Sequence, residues 1–560
     1  VGERVRSPTR LARPAPPTPP DAAAGWTNRP RARPVELAAM ASLVLLAVAV
    51  IALQHEVLAR QFWGDESWRA YHISLTDGFW RQLKGADAPF PLAWLLIERT
   101  AIRIGGNNLL SLRLPVALAF VVLGPLTYVV GRRWLSVPAS LATAGLLLLN
   151  GPVFVYAVQL KPFPVDCAAS LAALWLWLLG RERSLGGPMR LLLYLGIAAC
   201  GLLAVAAVFV VGFVLLLDLV ELARRRQLAA WSRLAPPLAA GAASLAHLGL
   251  FVLPQSSVTA NVDWQDFYPP HSPTGAAGFV ARQLAGFFPG MVTQLPRYVP
   301  VPVEPRLHLP PGSWTLLALF LLAGVVAGVV AAVAGRRGTV LAGVLGWCLA
   351  VELAASALHL WPFGFARANY FLLPFAYLLA GAGIAWLLER ARRQGRRLPA
   401  GALAVVIALG CAGLLAAGRA QLGRARQTAH GPVYELHTAD AVAWVRLRSG
   451  PDDVVVFPDR RYFKGWAYYL RFYQGYDPVI EARPRIAEGH VVQVAGPAQE
   501  AALRDLLAGD RAIADVFVVL PINVRPERVA AVTSVLASSG YHQAAVARFP
   551  LSSSVRRYSR

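Results

Sequence analysis

Charge is what this sequence has least of. Of its 560 residues only 15% are charged, and acidic side chains are the scarcer kind, 31 Asp and Glu against 54 Lys and Arg. A soluble domain carries about 25% charged residues. With 56% hydrophobic residues and a mean hydropathy of +0.48, a wholly soluble protein is excluded. Cysteine is nearly absent: Cys167, Cys200, Cys348 and Cys411 all fall inside apolar runs without metal-ligand spacing, which argues against a zinc module and a disulfide framework. A Walker loop, a zincin motif, a nucleophile elbow and a dinucleotide fingerprint are missing too. The net charge of +23 would suit nucleic acid in a soluble protein, but most of it sits in short arginine clusters between apolar runs. That placement fixes the orientation of a membrane protein, and no nucleic-acid partner is expected.

What is present is a series of long apolar stretches. They lie near 37–54, 112–131, 138–157, 166–180, 190–222, 234–253, 313–334, 338–360, 366–389 and 399–418. A helix needs about 20 residues to cross the hydrocarbon core. The 190–222 stretch is too long for one crossing and reads as a hairpin, giving about eleven transmembrane helices. Residues 1–36, rich in Pro, Ala and Arg, read as a disordered cytoplasmic tail. Arg132–Arg133, Arg181 with Arg183, Arg224–Arg226, Arg336–Arg337 and the cluster from Arg390 to Arg397 then share the cytoplasmic side, provided that 89–104 does not cross. That segment contains Glu98, Arg99 and Arg103, charges costly in lipid, and is expected to be an amphipathic helix at the outer surface.

Three outer loops follow, 55–111, 158–166 and 254–312, within a membrane module of 37–418. Residues 419–560 are also outside and have soluble patterning. Val454–Phe457 and Val516–Leu520 read as buried strands, and 498–508 and 526–538 as helices, so a small extracytoplasmic α/β domain is expected. The localisation is a plasma membrane, multi-pass, with the N-terminus cytoplasmic.

The loops carry the candidate chemistry. Phe62-Trp63-Gly64-Asp65-Glu66-Ser67-Trp68 sets two adjacent carboxylates between aromatics suited to a membrane–water boundary. Such a carboxylate can take a proton from an acceptor hydroxyl or hold a divalent metal; the plain alternative is a solvated acidic pair. In Tyr156–Asp166, Lys161 lies on the side that positive charge avoids, between prolines and close to Asp166. A cation there suits a phosphate at headgroup depth or simply snorkels to lipid. Arg367, in the turn Trp361–Tyr370, opens a helix, where its guanidinium and the backbone N–H groups could receive an anion. Weaker candidates are Tyr71 and His72 near the acidic pair, and Asp263 and His271 in the long loop.

As an ordered set these segments resemble the GT-C class of integral-membrane glycosyltransferases, in the branch of protein O-mannosyltransferases and lipid A aminoarabinose transferases. The matching pieces are Asp65-Glu66, then Pro91-Leu92 of a surface-helix motif, Leu112–Leu118 ending in Gly131-Arg132-Arg133, Tyr156–Asp166, and Trp361-Pro362-Phe363 with Arg367. The chain departs from the pattern at Pro89, Phe90 and Gln159. The resemblance covers roughly 37–390 and implies transfer of a sugar, with inversion, from a polyprenyl-phosphate carrier to an acceptor glycan, lipid or protein at the outer face. For such a reaction the acceptor needs a base, expected to be Asp65 with Glu66 orienting it or binding a metal. The leaving phosphate needs cations, expected to be Lys161 and Arg367, and Gln159 and Asp166 are candidates for substrate binding. A bacterial cell envelope is the expected setting. Two other classes stay open: a lipid or solute transporter, for which Glu352 and His247 are the in-span ionisable candidates, and a non-catalytic envelope-assembly scaffold of the same fold.

Overall fold

A computed structural model of the chain describes residues 33–62, 64–75, 90–182, 187–227, 231–256, 267–270, 272–293, 313–335, 338–364, 367–394, 408–413, 416, 438–458, 463–494, 496–510, 512–521, 524–549 and 553–560. The expected N-terminal tail up to residue 32, and Asp263 and His271, lie outside these residues.

The apolar stretches become helices because only a helix satisfies its own backbone N–H and C=O groups in lipid. They are α1 (Arg33–Leu53), α2 (Gly64–Ser74), α3 (Leu92–Gly105), α4 (Leu109–Gly131), α5 (Val137–Leu148), α6 (Phe163–Glu182), α7 (Gly187–Leu203), α8 (Ala207–Arg224), α9 (Trp231–His247), α10 (Pro273–Thr293), α11 (Ser313–Val333), α12 (Thr339–Ala357) and α13 (Leu373–Arg393). Among the described residues seven stretches are long and apolar enough to cross a membrane: those of α1, α4, α6, α9 running on to Val252, α11, α12 and α13. The protein is a multi-pass membrane protein. The 190–222 stretch breaks at Ala204–Ala206 between α7 and α8.

Two sequence expectations change. The run 138–157 is not one crossing helix: α5 has 12 residues and a second helix, Gly151–Tyr156, follows it. Pro152 cannot donate a helical N–H and disfavours a helical residue before it. Asn150 completes the break, with its side chain capping Val153 N and donating to the Tyr377 hydroxyl at 3.0 Å. The loop 254–312 also contains a 21-residue helix, α10, which buries Phe279 and Phe287 on one face. By contrast α3, at 14 residues, spans about 21 Å, short of the hydrocarbon thickness. It buries Trp94, Leu95 and Glu98 while Leu96, Ile97 and Ile104 face outward.

Helices α11 and α13 cross backbone against backbone. Gly324 and Gly328 stand one turn apart on α11, and a Cβ on Gly383 of α13 would collide with Gly324 O and Gly328 N. Small residues at such a crossing let helices approach closely in lipid.

Residues 438–560 contain α14 (Thr438–Arg446), β1 (Val454–Phe457), α15 (Phe463–Arg471), β2 (Val491–Gln493), α16 (Pro497–Gly509), β3 (Asp515–Pro521), α17 (Pro526–Ser538), β4 (His542–Phe549) and β5 (Ser553–Ser559). The strands form one sheet in the order β2-β1-β3-β5-β4, with β2, β1 and β3 parallel and β5 antiparallel to both β3 and β4. Alternate side chains along a strand point to opposite faces, and here both faces are covered. Val454, Val456, Val516 and Val518 pack with Leu503, Leu507, Val535 and Leu536 of α16 and α17. Val455, Phe457, Phe517 and Val519 share a core with α14 and α15, and that core continues into Phe62, Ala70, Ile73, Phe90, Leu95, Leu112 and Leu160. The α/β unit is therefore joined to the segment 62–112 and to Leu160 through one continuous interior.

Candidate active site

The acidic pair opens α2, where the exposed N–H groups of a first turn favour negative charge. Its two members point to different places. Asp65, about a third exposed, accepts a hydrogen bond from Lys161 Nζ at 2.7 Å, while the Lys161 side chain is almost fully buried. Glu66 is fully buried. Its Oε1 accepts from Arg113 Nε at 3.0 Å and from the backbone N–H of Leu160 at 2.7 Å, and its Oε2 accepts from Arg113 Nη2 at 2.8 Å. Burial pushes Glu66 up, but the Arg113 guanidinium by charge and by hydrogen bonds, with Arg60 and the Leu160 N–H, more than offsets this and holds it below the ordinary carboxylate value. Consecutive acids on α2 thus hold consecutive residues, Leu160 and Lys161, of the second loop.

Sequence reasoning assigned no role to Arg113, the one charged residue of α4. Its Nη1 donates to the carbonyls of Val57, Leu58 and Arg60 at 3.1, 2.7 and 2.8 Å, and its guanidinium lies 4.7 Å from the Phe62 ring centroid. A buried guanidinium needs this many acceptors to offset its lost hydration. The sequence signal was a lone charge in an apolar helix, which demands a partner.

Behind the pair is a second charged group. Arg69, one turn along α2, attracts both Glu98 of α3 and Asp166 at the start of α6, and it lies 5.3 Å from the Phe90 ring centroid. Asp166 and Gln159 are both buried beside Lys161 in sequence. Glu98 is fully buried and its carboxyl oxygens have no hydrogen-bond partner among the described residues. Burial raises it well above its ordinary value, with Arg69 pulling the other way.

Tyr71 and His72 turn toward the α/β unit. Tyr71 packs on Phe463 and Phe472, and His72 Nε2 lies 3.1 Å from Lys464 Nζ. Arg367 begins a short 3-10 helix, Arg367–Leu372, and its side chain lies outside the described atoms. The element itself packs on the Lys161 loop: the Tyr370 ring contacts Tyr156 at 5.8 Å and Phe163 at 5.5 Å, and Cys167 Sγ donates to Tyr370 O at 3.3 Å. Asn369 fixes the preceding turn, accepting from Trp361 Nε1 at 2.6 Å and donating to the carbonyls of Pro362 and Gly364. Asp65 and Lys161 therefore meet, and the short helix that begins at Arg367 packs on the residues flanking the Lys161 loop.

Among the described residues no group of three His, Cys, Asp or Glu side chains is placed to hold a metal ion. The acidic pair, as arranged, does not fit a divalent cation. Asp65 already carries an ammonium, and both Glu66 oxygens are taken by a guanidinium and a backbone N–H.

No family model matches the chain, and no curated protein matches it in sequence. Solved structures do match. ArnT from Cupriavidus metallidurans in the apo state is 16% identical with a TM-score of 0.51, covering 93% of this chain and 98% of its own. ArnT bound to undecaprenyl phosphate is 14% identical with a TM-score of 0.53, covering 92% and 98%. The archaeal oligosaccharyltransferase AglB from Archaeoglobus fulgidus, in complex with an inhibitory peptide and a dolichol-phosphate, is 12% identical with a TM-score of 0.48, covering 86% of this chain and 69% of its own. Over nearly its whole length, the chain shares the fold of ArnT, the architecture that its loop motifs led us to expect.

Proposed function

We propose that the protein is a membrane glycosyltransferase that moves a sugar from a polyprenyl-phosphate carrier to an acceptor hydroxyl at the outer face, with inversion. The observation that carries this reading is the Asp65–Lys161 contact of 2.7 Å at a partly exposed edge. The ArnT fold, one of whose structures holds undecaprenyl phosphate, supports it. In this reading the ion pair is the resting state. The donor phosphate takes Lys161, with Arg367 as its second cation, and frees Asp65. Asp65 then receives the acceptor proton as the acceptor oxygen bonds to the anomeric carbon and the bond to the phosphate breaks. One displacement inverts that carbon, and the lipid phosphate leaves with its new charge held by the cations. Glu66 positions rather than reacts, because its oxygens are committed to Arg113 and Leu160. The membrane orientation read from the arginine clusters, with the N-terminus cytoplasmic and the α/β unit outside, belongs to the same proposal.

The test is Asp65→Asn in reconstituted membranes supplied with polyprenyl-phosphate-linked sugar. Transfer is expected to fall by about 2.7–4 kcal/mol in barrier, or more, with insertion and folding intact. Near-normal transfer removes Asp65 as the base. The transporter reading has one observation behind it. Glu352, fully buried in α12, has both carboxyl oxygens without a hydrogen-bond partner among the described residues, and buried acids in spans often mark a translocation path. Solute uptake into vesicles that is lost in Glu352→Gln would favour it.

A further inference from the structure

The α/β unit of residues 438–560 carries no catalytic motif, yet its helix α15 packs along α2. The contacts concentrate at the two ends of that helix. Just before it, the backbone N–H of Phe62 donates to the Tyr469 hydroxyl at 2.6 Å, and both groups are buried. Gln61 Nε2 donates to Asp440 Oδ1 at 3.0 Å, and Gln61 Oε1 accepts from Ala439 N at 2.9 Å. Midway, the two helices approach so closely that a Cβ on Gly465 would stand 2.6 Å from Ser67 Oγ. At the far end Lys464 Nζ lies 3.1 Å from His72 Nε2 and 5.8 Å from the Trp68 ring centroid. The C-terminal residue of α2, Ser74, accepts from Asn107 Nδ2 at 2.8 Å. Asn107 in turn is held by the Tyr468 hydroxyl and by paired bonds with Gln474.

Elsewhere α2 is held through Glu66 and Asp65 by Arg113, Leu160 and Lys161, and through Arg69, Trp68 and His72 against the Phe90 ring. A short helix of 11 residues does not hold its shape by itself in water, so its place depends on what it packs against. We propose that the α/β unit is part of the active site, a rigid support that holds α2 and so sets the position of Asp65, with Tyr469 as its principal positioning residue. Tyr469 acts three residues upstream of the reacting carboxylate by fixing where the chain enters α2. A misplacement on the order of 1 Å is enough to cost about a hundredfold in rate.

The proposal rests on the reading of Asp65 as base only for its kinetic arm, and a structural arm keeps the two apart. Hydrogen exchange is measured on the full-length protein in lipid nanodiscs for the native chain, Tyr469→Phe and Tyr541→Phe. Tyr541 also buries its hydroxyl in the α/β unit, bonding Ile513 O at 2.9 Å, but does not touch α2. In Tyr469→Phe the amides of Phe62 and α2 are expected to exchange about tenfold faster, while Tyr541→Phe leaves them at the native rate. In the kinetic arm Tyr469→Phe lowers turnover by about tenfold or more with the half-saturating donor concentration unchanged. Native exchange rates at α2 in Tyr469→Phe overturn the positioning role. Faster exchange with undiminished turnover, in a protein whose Asp65→Asn variant is inactive, keeps Asp65 as the base and overturns the positioning role of Tyr469. If Tyr469→Phe does not accumulate, Gln61→Ala, which removes only the two bonds to α14, is read by the same measurements.

Discussion

Replacing Arg113 by methionine is the sharpest perturbation of the site that touches no proposed reacting group. The guanidinium makes two bonds to Glu66 and three to backbone carbonyls, all at 3.1 Å or less, with both side chains fully buried. Removing one partner of a buried pair leaves the other charge uncompensated and costs about 3–5 kcal/mol. In Arg113→Met the stranded group is Glu66, with the Leu160 N–H and the attraction of Arg60 left to it. Its carboxylate value, now held low, is expected to rise, so it takes up a proton on folding. The sign of the pH effect follows. A depressed carboxylate contributes stability that is present above its ordinary value of 4.5 and lost as pH falls through the folded value. The native protein should therefore lose stability on acidification below about pH 4.5, and Arg113→Met should not show that loss. The double variant Arg113→Met with Glu66→Leu removes the stranded charge but not the three orphaned carbonyls, so it should recover only part of the loss. The assay is thermal unfolding in detergent micelles at neutral and acidic pH for the four members of the cycle. A neutral-pH melting temperature for Arg113→Met equal to that of the native protein would refute the argument.

Other outcomes are equally open to measurement. Lys161→Ala and Arg367→Ala should each weaken undecaprenyl phosphate binding about ten- to hundredfold, the worth of a charge-assisted hydrogen bond. Unchanged affinity in nanodiscs would remove either residue from the phosphate site. Glu98 is raised above its ordinary 4.5 by burial, so the stability it contributes is full below that value and lost as pH climbs through the folded value. Glu98→Gln should flatten the fall of melting temperature as pH rises above about 4.5, and a variant whose curve runs parallel to the native one contradicts this. Gly383→Ala should destabilise the membrane module by at least about 1–3 kcal/mol, since backbone rather than side chain blocks the new methyl. Native yield and melting temperature for that variant would mean that the crossing can open.

The acidic pair was legible because two adjacent carboxylates between aromatics are conspicuous in a sequence poor in acids. Their separate fates were not, since the difference is set by Arg113, 47 positions away, and by the fold of the loop at Leu160. A lone arginine within α4 was the available clue. The break at Asn150-Gly151-Pro152 was also written in the chain, as a helix-capping side chain followed by proline, but hydropathy averaged over 138–157 hides it. Helix α10 was missed because its buried face rests on few residues, Phe279 and Phe287 among them. The strands Val454–Phe457 and Asp515–Pro521 show as continuous apolar runs, the pattern of strands covered on both faces. Nothing in the sequence tied them to α2, because the bonds from Tyr469 and Gln61 join residues some 400 positions apart.

The contact between α11 and α13 has a mechanical meaning. Where helices meet through long side chains, rotamer changes let them slide or roll past one another; where main chain rests on main chain there is nothing compressible between them. Gly324, Gly328 and Gly383 therefore weld two of the longest helices into one plank. If the protein takes a prenyl-linked donor as proposed, the entry for its tail from the bilayer would open along some other seam of the bundle.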